Sequence, residues 1–225
     1  MLSLLAVIAQ LSSVGEPHLV VTGRAVVSAQ PERAAVDIGV VTEAPEAQAA
    51  ASQNAEKLDR VLNALKGELG PDAGFETLSY TLRPNYRRPA PREEPVLTGY
   101  VASNVVRVKD LNLDAVGKAI DLASASGSNT IHNISFSLRD ENAAKSEALR
   151  RAAADARAKA DTLATALGVS VVRILTATEG EADIVRPMPA FRSEMTMAQA
   201  DVPTPVEPGT IEIRASVTLV VEISQ

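Results

Sequence analysis

The chain has 225 residues, of which 46% are hydrophobic, a formal net charge of −6 and no cysteine. These values exclude disulfides, thiolate metal sites and a cysteine nucleophile, and they disfavour a nucleic-acid partner, which needs a basic face. With three Phe, three Tyr and no Trp, the core must be built from Ala, Val, Leu and Ile.

Leu2–Ala9 (LSLLAVIA) is a short apolar run. A bilayer span needs about 20 such residues, so the run reads instead as the h-region of an export signal, with Val7-Ile8-Ala9 as a small-residue cleavage site. No Lys or Arg precedes it. We expect residues 1–17 to be a signal-like segment and linker, and residues 18–225 to form one domain with a long irregular loop at 180–209. No later stretch approaches the length of a membrane span.

From Leu19 to Ala29, apolar and polar residues alternate as in a half-buried strand, and Ala34, Val36, Ile38 and Val40 mark a second. Only Gln30-Pro31-Glu32 separates them, which predicts an antiparallel hairpin. Pro45 opens a helix with apolar positions Ala47, Ala51, Leu58, Val61, Leu62 and Leu65, ended by Gly67 and Gly70-Pro71. Phe75–Tyr86 and Leu97–Lys109 form a longer hairpin around a proline- and charge-rich tip, Arg87–Pro95. Asn112 caps a short helix with the stripe Leu113, Val116, Ile120 and Ala123, stopped by Gly127. After the strand Ile131–Arg139, Asp140 caps the longest helix, Glu141–Leu167, whose expected core stripe is Leu149, Ala152, Ala156, Ala160, Leu163 and Leu167. Gly168 stops that helix, and Val169–Thr178 returns as a strand. An irregular loop, Glu179–Gly209, then leads to the final strand.

That strand, Thr210–Ile223 (TIEIRASVTLVVEI), places seven apolar side chains on alternate positions and spans about 45 Å. Strands that long need long partners. The order ββ-α-ββ-α-β-α-β-β predicts an α+β fold: a largely antiparallel sheet of long strands, helices packed on one face, and a ferredoxin-like unit between Ala34 and Arg139.

Six ordered segments, VVTGRAVVSAQPERAAVDIGV, TLSYTLRPNY, GYVASNVVRVKDL, IHNISFSLRD, ALRRAAADARAKADTLATALGV and PGTIEIRASVTLVVEI, resemble the SIMPL-domain family of bacterial periplasmic and surface-exposed immunogenic proteins. The resemblance runs from about Leu19 to Ile223. It implies an exported, periplasmic or envelope-associated protein with an α+β fold and, in some members, a large ring-like homo-oligomer and a link to oxidative-stress tolerance. It implies no reaction and supplies no catalytic residues.

The residues themselves offer little chemistry. His18 and His132 are more than 100 positions apart, with no HExxH, no G-x-S-x-G elbow and no glycine-rich phosphate loop, so neither a metal, a cofactor nor a catalytic set is expected. His132 is expected to share a strand face with Ile134 and Phe136, and Asp37 to pair across strands with Arg24 or Arg107. Two segments look like contact surfaces. Arg83, Tyr86, Arg87, Arg88 and Arg92 cluster at the second hairpin tip, beside Tyr80, where they suit an anionic envelope surface or another subunit. Met188, Phe191, Met195 and Met197 supply adaptable apolar groups on the proline-rich late loop. The reading is therefore a non-enzymatic, self-associating envelope protein. The competing reading is a small-molecule or peptide binder whose pocket is lined by His132 and Tyr100.

Overall fold

The computed structural model describes residues 16–70, 73–88, 94–180, 182–186, 204 and 206–224. In chain order the elements are β1 (His18–Ala29), β2 (Arg33–Ala44), α1 (Ala47–Leu69), β3 (Gly74–Arg87), β4 (Val96–Leu111), α2 (Ala115–Ser126), β5 (Thr130–Ser137), α3 (Glu141–Ala166), β6 (Ser170–Glu179), β7 (Asp183–Val185) and β8 (Ile211–Ser224). The α+β class, the antiparallel pairing and the element order agree with the expectation. The strands divide between two sheets, β1-β8-β6 with β7 also on β8, and β3-β4-β2-β5. The chain accordingly folds as two units, one from the described parts of residues 1–29, 140–185 and 211–225, the other from those of 30–139 and 186–210.

The expected β1–β2 hairpin does not form. β1 pairs with β8 over twelve positions, from His18↔Glu222 to Ala29↔Ile211, and β2 pairs with β4 and β5. The reason is legible in the connection: Gln30-Pro31-Glu32 contains no Gly or Asn for the positive-φ positions that tight hairpin turns require. Short β7 also falls inside the segment expected to be irregular.

In the first unit, the final strand is the centre of its sheet. Ile211, Ile213, Ala215, Val217, Leu219 and Val221 are buried, alternating with half-buried or exposed Glu212, Arg214, Ser216 and Thr218. Burial of each Val, Leu or Ile side chain contributes about 1.5–3 kcal/mol. Helix α3 covers this face, and Asp140 caps it as expected by accepting from the Ala143 N–H at 2.9 Å. Its buried stripe, however, is Ala148, Ala152, Ala156, Ala160 and Ala164, while Leu163 and Leu167 are 44% and 62% exposed. The cause is close approach. A Cβ on Gly23 of β1 would lie 2.1 Å from the Ala152 carbonyl oxygen and 2.3 Å from the Ala156 nitrogen, so only methyl-sized side chains fit between helix and sheet.

The same helix closes the free edge of β1. Asp155 accepts from the Arg24 N–H (2.8 Å) and from Lys159 Nζ (2.7 Å), and Lys159 donates to the Thr22 carbonyl (3.2 Å). Occupied backbone groups resist strand addition. The hydrogen bond from Lys159, and then that from the Arg24 N–H, hold the Asp155 carboxyl below the usual carboxylate range. A depressed folded-state pKa adds stability above the unfolded value, about 3.9, and that stability is lost as pH falls through the folded value. Asp155→Asn should therefore melt below wild type at neutral pH and converge with it as pH falls below about 3.9 and through the lower folded value. Thermal melts by circular dichroism read this directly, and a gap that persists in acid would exclude the carboxylate as its source.

The second unit has the β-α-β-β-α-β order and the 2-3-1-4 strand arrangement of a ferredoxin-like fold. Its core packs Val36, Ile38 and Val40 of β2 and Val108 of β4 against Val61 and Leu65 of α1, Val116 and Ile120 of α2, and Ile134 and Phe136 of β5. The N-cap position of helix α2 falls two residues later than expected, at Asp114, which makes no side-chain capping hydrogen bond, while Asn112 accepts from the Arg33 guanidinium at 2.7 Å. Thr204 and Val206 close onto this unit: Thr204 donates through its hydroxyl (2.6 Å) and N–H (3.3 Å) to Asp121, and Val206 packs on the core.

Candidate functional site

The β3–β4 hairpin is longer than the sheet that carries it. β2 stops pairing with β4 at Ala44↔Tyr100, whereas β3 continues from Pro84↔Tyr100 to Arg87↔Val96. Beyond the sheet, residues 85–87 and 96–99 thus form a two-stranded ribbon, steadied at its base by Asn85 donating to Glu43 (2.7 Å) and by Thr98 donating to the Asn85 carbonyl (3.0 Å). Tyr86 and Arg87 lie here, Arg88 follows directly, and Arg83 sits just inside the sheet opposite Val101; all four are exposed. Among the described residues, none of the three guanidiniums has a carboxylate within ion-pair distance. Apolar groups accompany them: Leu82, Tyr86, Val96 and Leu97 are 41–57% exposed. Arg92, Met188, Phe191, Met195 and Met197 lie outside the described residues.

Where the hairpin rejoins the sheet, a groove of about 420 Å³ separates β3 and β4 from α1, lined by Ala51, Asn54, Leu58, Asp59, Tyr80 and Asn104 among others. Tyr80 and Asn104 are direct cross-strand partners on the helix-facing side of the hairpin. Asn54 is fully buried and donates through Nδ2 to the carbonyls of Val40 (2.8 Å) and Ala102 (3.1 Å), tying α1 to two neighbouring strands. Its Oδ1 has no partner, and neither does the buried Oδ1 of Asn104. Reading the sequence did not single out Asn54 or Asn104. The available signal was an amide at position 54, in helical register with Ala50, Leu58, Val61 and Leu65, where an apolar residue belongs.

Among the described residues, His132 and Tyr100 do not come together as the competing binder reading requires. Pairing shifts from Asp37↔Asn133 to Ile38↔Ile131, so His132 is the extra residue of a β-bulge. The bulge turns it off the Ile134–Phe136 face and places Nε2 2.6 Å from where a Cβ of Gly39 would be. Tyr100 instead packs on Ala44, Ala50 and Ala102. Asp37, 6% exposed, receives both Nε (2.7 Å) and an Nη (2.9 Å) of Arg107, its directly opposed partner, rather than Arg24. The Asp37 hydrogen bond pushes the Arg107 pKa up from an already basic value. A cavity of about 650 Å³ at the opposite end of β2 is lined by Arg33, Glu68, Asp110, Asp114, Lys118 and Arg139, of which Arg33 is held by the Asp110 carbonyl and Asn112, and Lys118 by Glu68. Among the described residues, no three His, Asp or Glu side chains are grouped as a metal would require, and no helix is long and apolar enough to cross a membrane.

The described residues form an α+β chain with two antiparallel sheets, one of them ferredoxin-like and extended by an exposed ribbon, which defines a class of double-sheet protein. The SIMPL family model, described as a protein of unknown function (DUF541), matches residues 19–221, and the chain belongs to that family. It is 32% identical over 212 residues to the 26 kDa periplasmic immunogenic protein of Brucella melitensis, covering 92% of this chain and 84% of that one, and equally similar to its Brucella abortus counterpart. It is also 32% identical over 139 residues to the uncharacterized protein YggE of Escherichia coli, covering 62% of this chain and 55% of that one. These relationships place the chain among exported, periplasmic proteins of the cell envelope.

Proposed function

We propose that the chain is a non-enzymatic envelope protein that works as a homo-oligomer, with the β3–β4 ribbon as its principal self-contact. The observation that carries this reading is the outer strand of the hairpin. Among the described residues β3 pairs only with β4, presents exposed Leu78, Tyr80, Leu82 and Tyr86, and runs beyond the sheet at one end. An unpaired edge with apolar side chains is a template for strand addition, and a second copy of the same ribbon satisfies its free backbone groups. The unneutralised Arg83, Arg87 and Arg88 would meet acidic groups elsewhere on a chain of net charge −6, or an anionic envelope surface. The oxidative-stress link implied by the family resemblance belongs to the same proposal. With no cysteine, its sulfur chemistry would fall to four methionines, three of them Met188, Met195 and Met197.

Light scattering coupled to size exclusion tests the assembly. The purified chain should elute as a discrete oligomer, and Leu82→Lys combined with Tyr86→Lys should shift it towards monomer at least about tenfold, the effect of losing about 1.4 kcal/mol of contact. A monomer at high concentration would overturn self-association. An assembly that survives the ribbon substitutions but is lost when residues 187–203 are deleted would transfer the contact to the methionine-rich loop. Thr204 and Val206 must be kept in that deletion because they anchor the segment on α2 and the core.

A further inference from the structure

We propose that the groove between α1 and the β3–β4 hairpin binds a small organic ammonium ion, a protonated amine on a short carbon chain. The argument starts from Asn54. Both hydrogens of its Nδ2 are committed to the carbonyls of Val40 and Ala102, which lie on different strands, so the amide cannot be turned round without losing both bonds. Its Oδ1 is thereby fixed, fully buried and without a donor. A buried acceptor left unpaired costs about 1–3 kcal/mol, and apolar groups fill the neighbouring positions of the same helix face at Ala50, Val61 and Leu65. The Oδ1 of Asn104, on β4 and lining the same groove, is also buried and unpartnered. Two elements that approach each other thus each present an amide oxygen in want of a proton donor.

The rest of the lining selects the kind of donor. It contains no Lys, Arg or His, and its one charge is Asp59, a carboxylate without an ion-pair partner among the described residues. An anion would face two carbonyl dipoles and a negative charge. An ammonium group carries three donors and the complementary charge. Ala51, Ala55 and Leu58 form an apolar wall suited to a short carbon stem, and the half-exposed Tyr80 ring adds a surface that attracts a cation. A volume of about 420 Å³ falls within the usual size of small-molecule sites.

The test is an NMR titration of the full chain with 1,4-diaminobutane dihydrochloride, using 1,4-butanediol and succinate as matched neutral and anionic probes. Saturable shifts are expected at the side-chain amides of Asn54 and Asn104 and at the backbone around Tyr80, with the diamine only. Asp59→Asn and Asn104→Leu should each weaken binding by about tenfold or more, as loss of a charge-assisted or buried hydrogen bond does. Both variants should fold. Asp59 is exposed, and replacing the unpaired Asn104 by an apolar side chain of similar size removes an unsatisfied group. Absence of saturable shifts at millimolar diamine would overturn the proposal, the two oxygens then being met by trapped water alone. Equal binding of the diol or succinate, or diamine binding indifferent to both substitutions, would overturn it as well. Light scattering on the same samples reports assembly separately, so this inference and the ribbon contact can fail independently.

Discussion

Gly23→Ala is expected to destabilise the first unit by about 3 kcal/mol, the upper range for overpacking a close contact. The added methyl would sit 2.1 Å from a backbone oxygen and 2.3 Å from a backbone nitrogen of α3, and neither can rotate away as a side chain would. Relief requires the helix to lift from β1. That would loosen Ala152 and Ala156 and pull Asp155 and Lys159 off the strand edge they occupy. Gly67→Ala provides the contrast: it lies in α1 with nothing within 4 Å of its would-be Cβ, so alanine should stabilise by about 0.5–1 kcal/mol through helix propensity. Urea unfolding of both variants decides the matter. If Gly23→Ala is as well tolerated as Gly67→Ala, the glycine–alanine packing does not set the helix–sheet distance.

Arg107→Ala should cost the second unit about 2–3 kcal/mol. It strips both hydrogen bonds from an Asp37 carboxylate that is 6% exposed and leaves that charge buried without a partner. The expectation is below that for a fully buried pair because the Arg107 side chain is 36% exposed and its end of the bridge is partly solvated. Removing both charges with Asp37→Asn and Arg107→Leu should recover most of the loss, since the penalty comes from the orphaned carboxylate more than from the missing attraction. A double-mutant cycle measured by urea denaturation gives the coupling. A double variant as unstable as the sum of the two singles would show that the side chains act independently, and the pair would then have no part in holding β2 to β4.

The ribbon and the groove differ in how far they could be read in advance. Arg83, Tyr86, Arg87 and Arg88 were recognisable as a cluster because a hairpin tip keeps neighbours in sequence close in space. The groove was not, because Asn54, Tyr80 and Asn104 come from three elements and meet only when α1 settles on β3 and β4. His132 shows the limit of periodicity: one extra residue in β5 reverses the face of everything before it, and nothing in IHNISFSLR marks the bulge. The leucines of α3 misled for a related reason. Helical spacing identifies candidate stripes, and Leu outranks Ala on hydrophobicity alone. Which stripe turned inward was decided by Gly23, more than 120 residues away, whose bare backbone rewards the face with the smallest side chains.

By itself the sequence determined the elements: the alternation of the long strands, the Asp140 cap, the order of strands and helices, and the absence of cysteine, all local or compositional properties. It also carried the family membership, because the ordered segments persist as patterns whatever they pair with. Only the tertiary structure decided the pairing. Strands alike in apolar alternation compete for the same partners, and the choice of β8 for β1, and of β4 and β5 for β2, rests on turn geometry and on register summed over whole strands. That choice divides the strands between two sheets, and the packing that follows leaves two amide oxygens facing one groove.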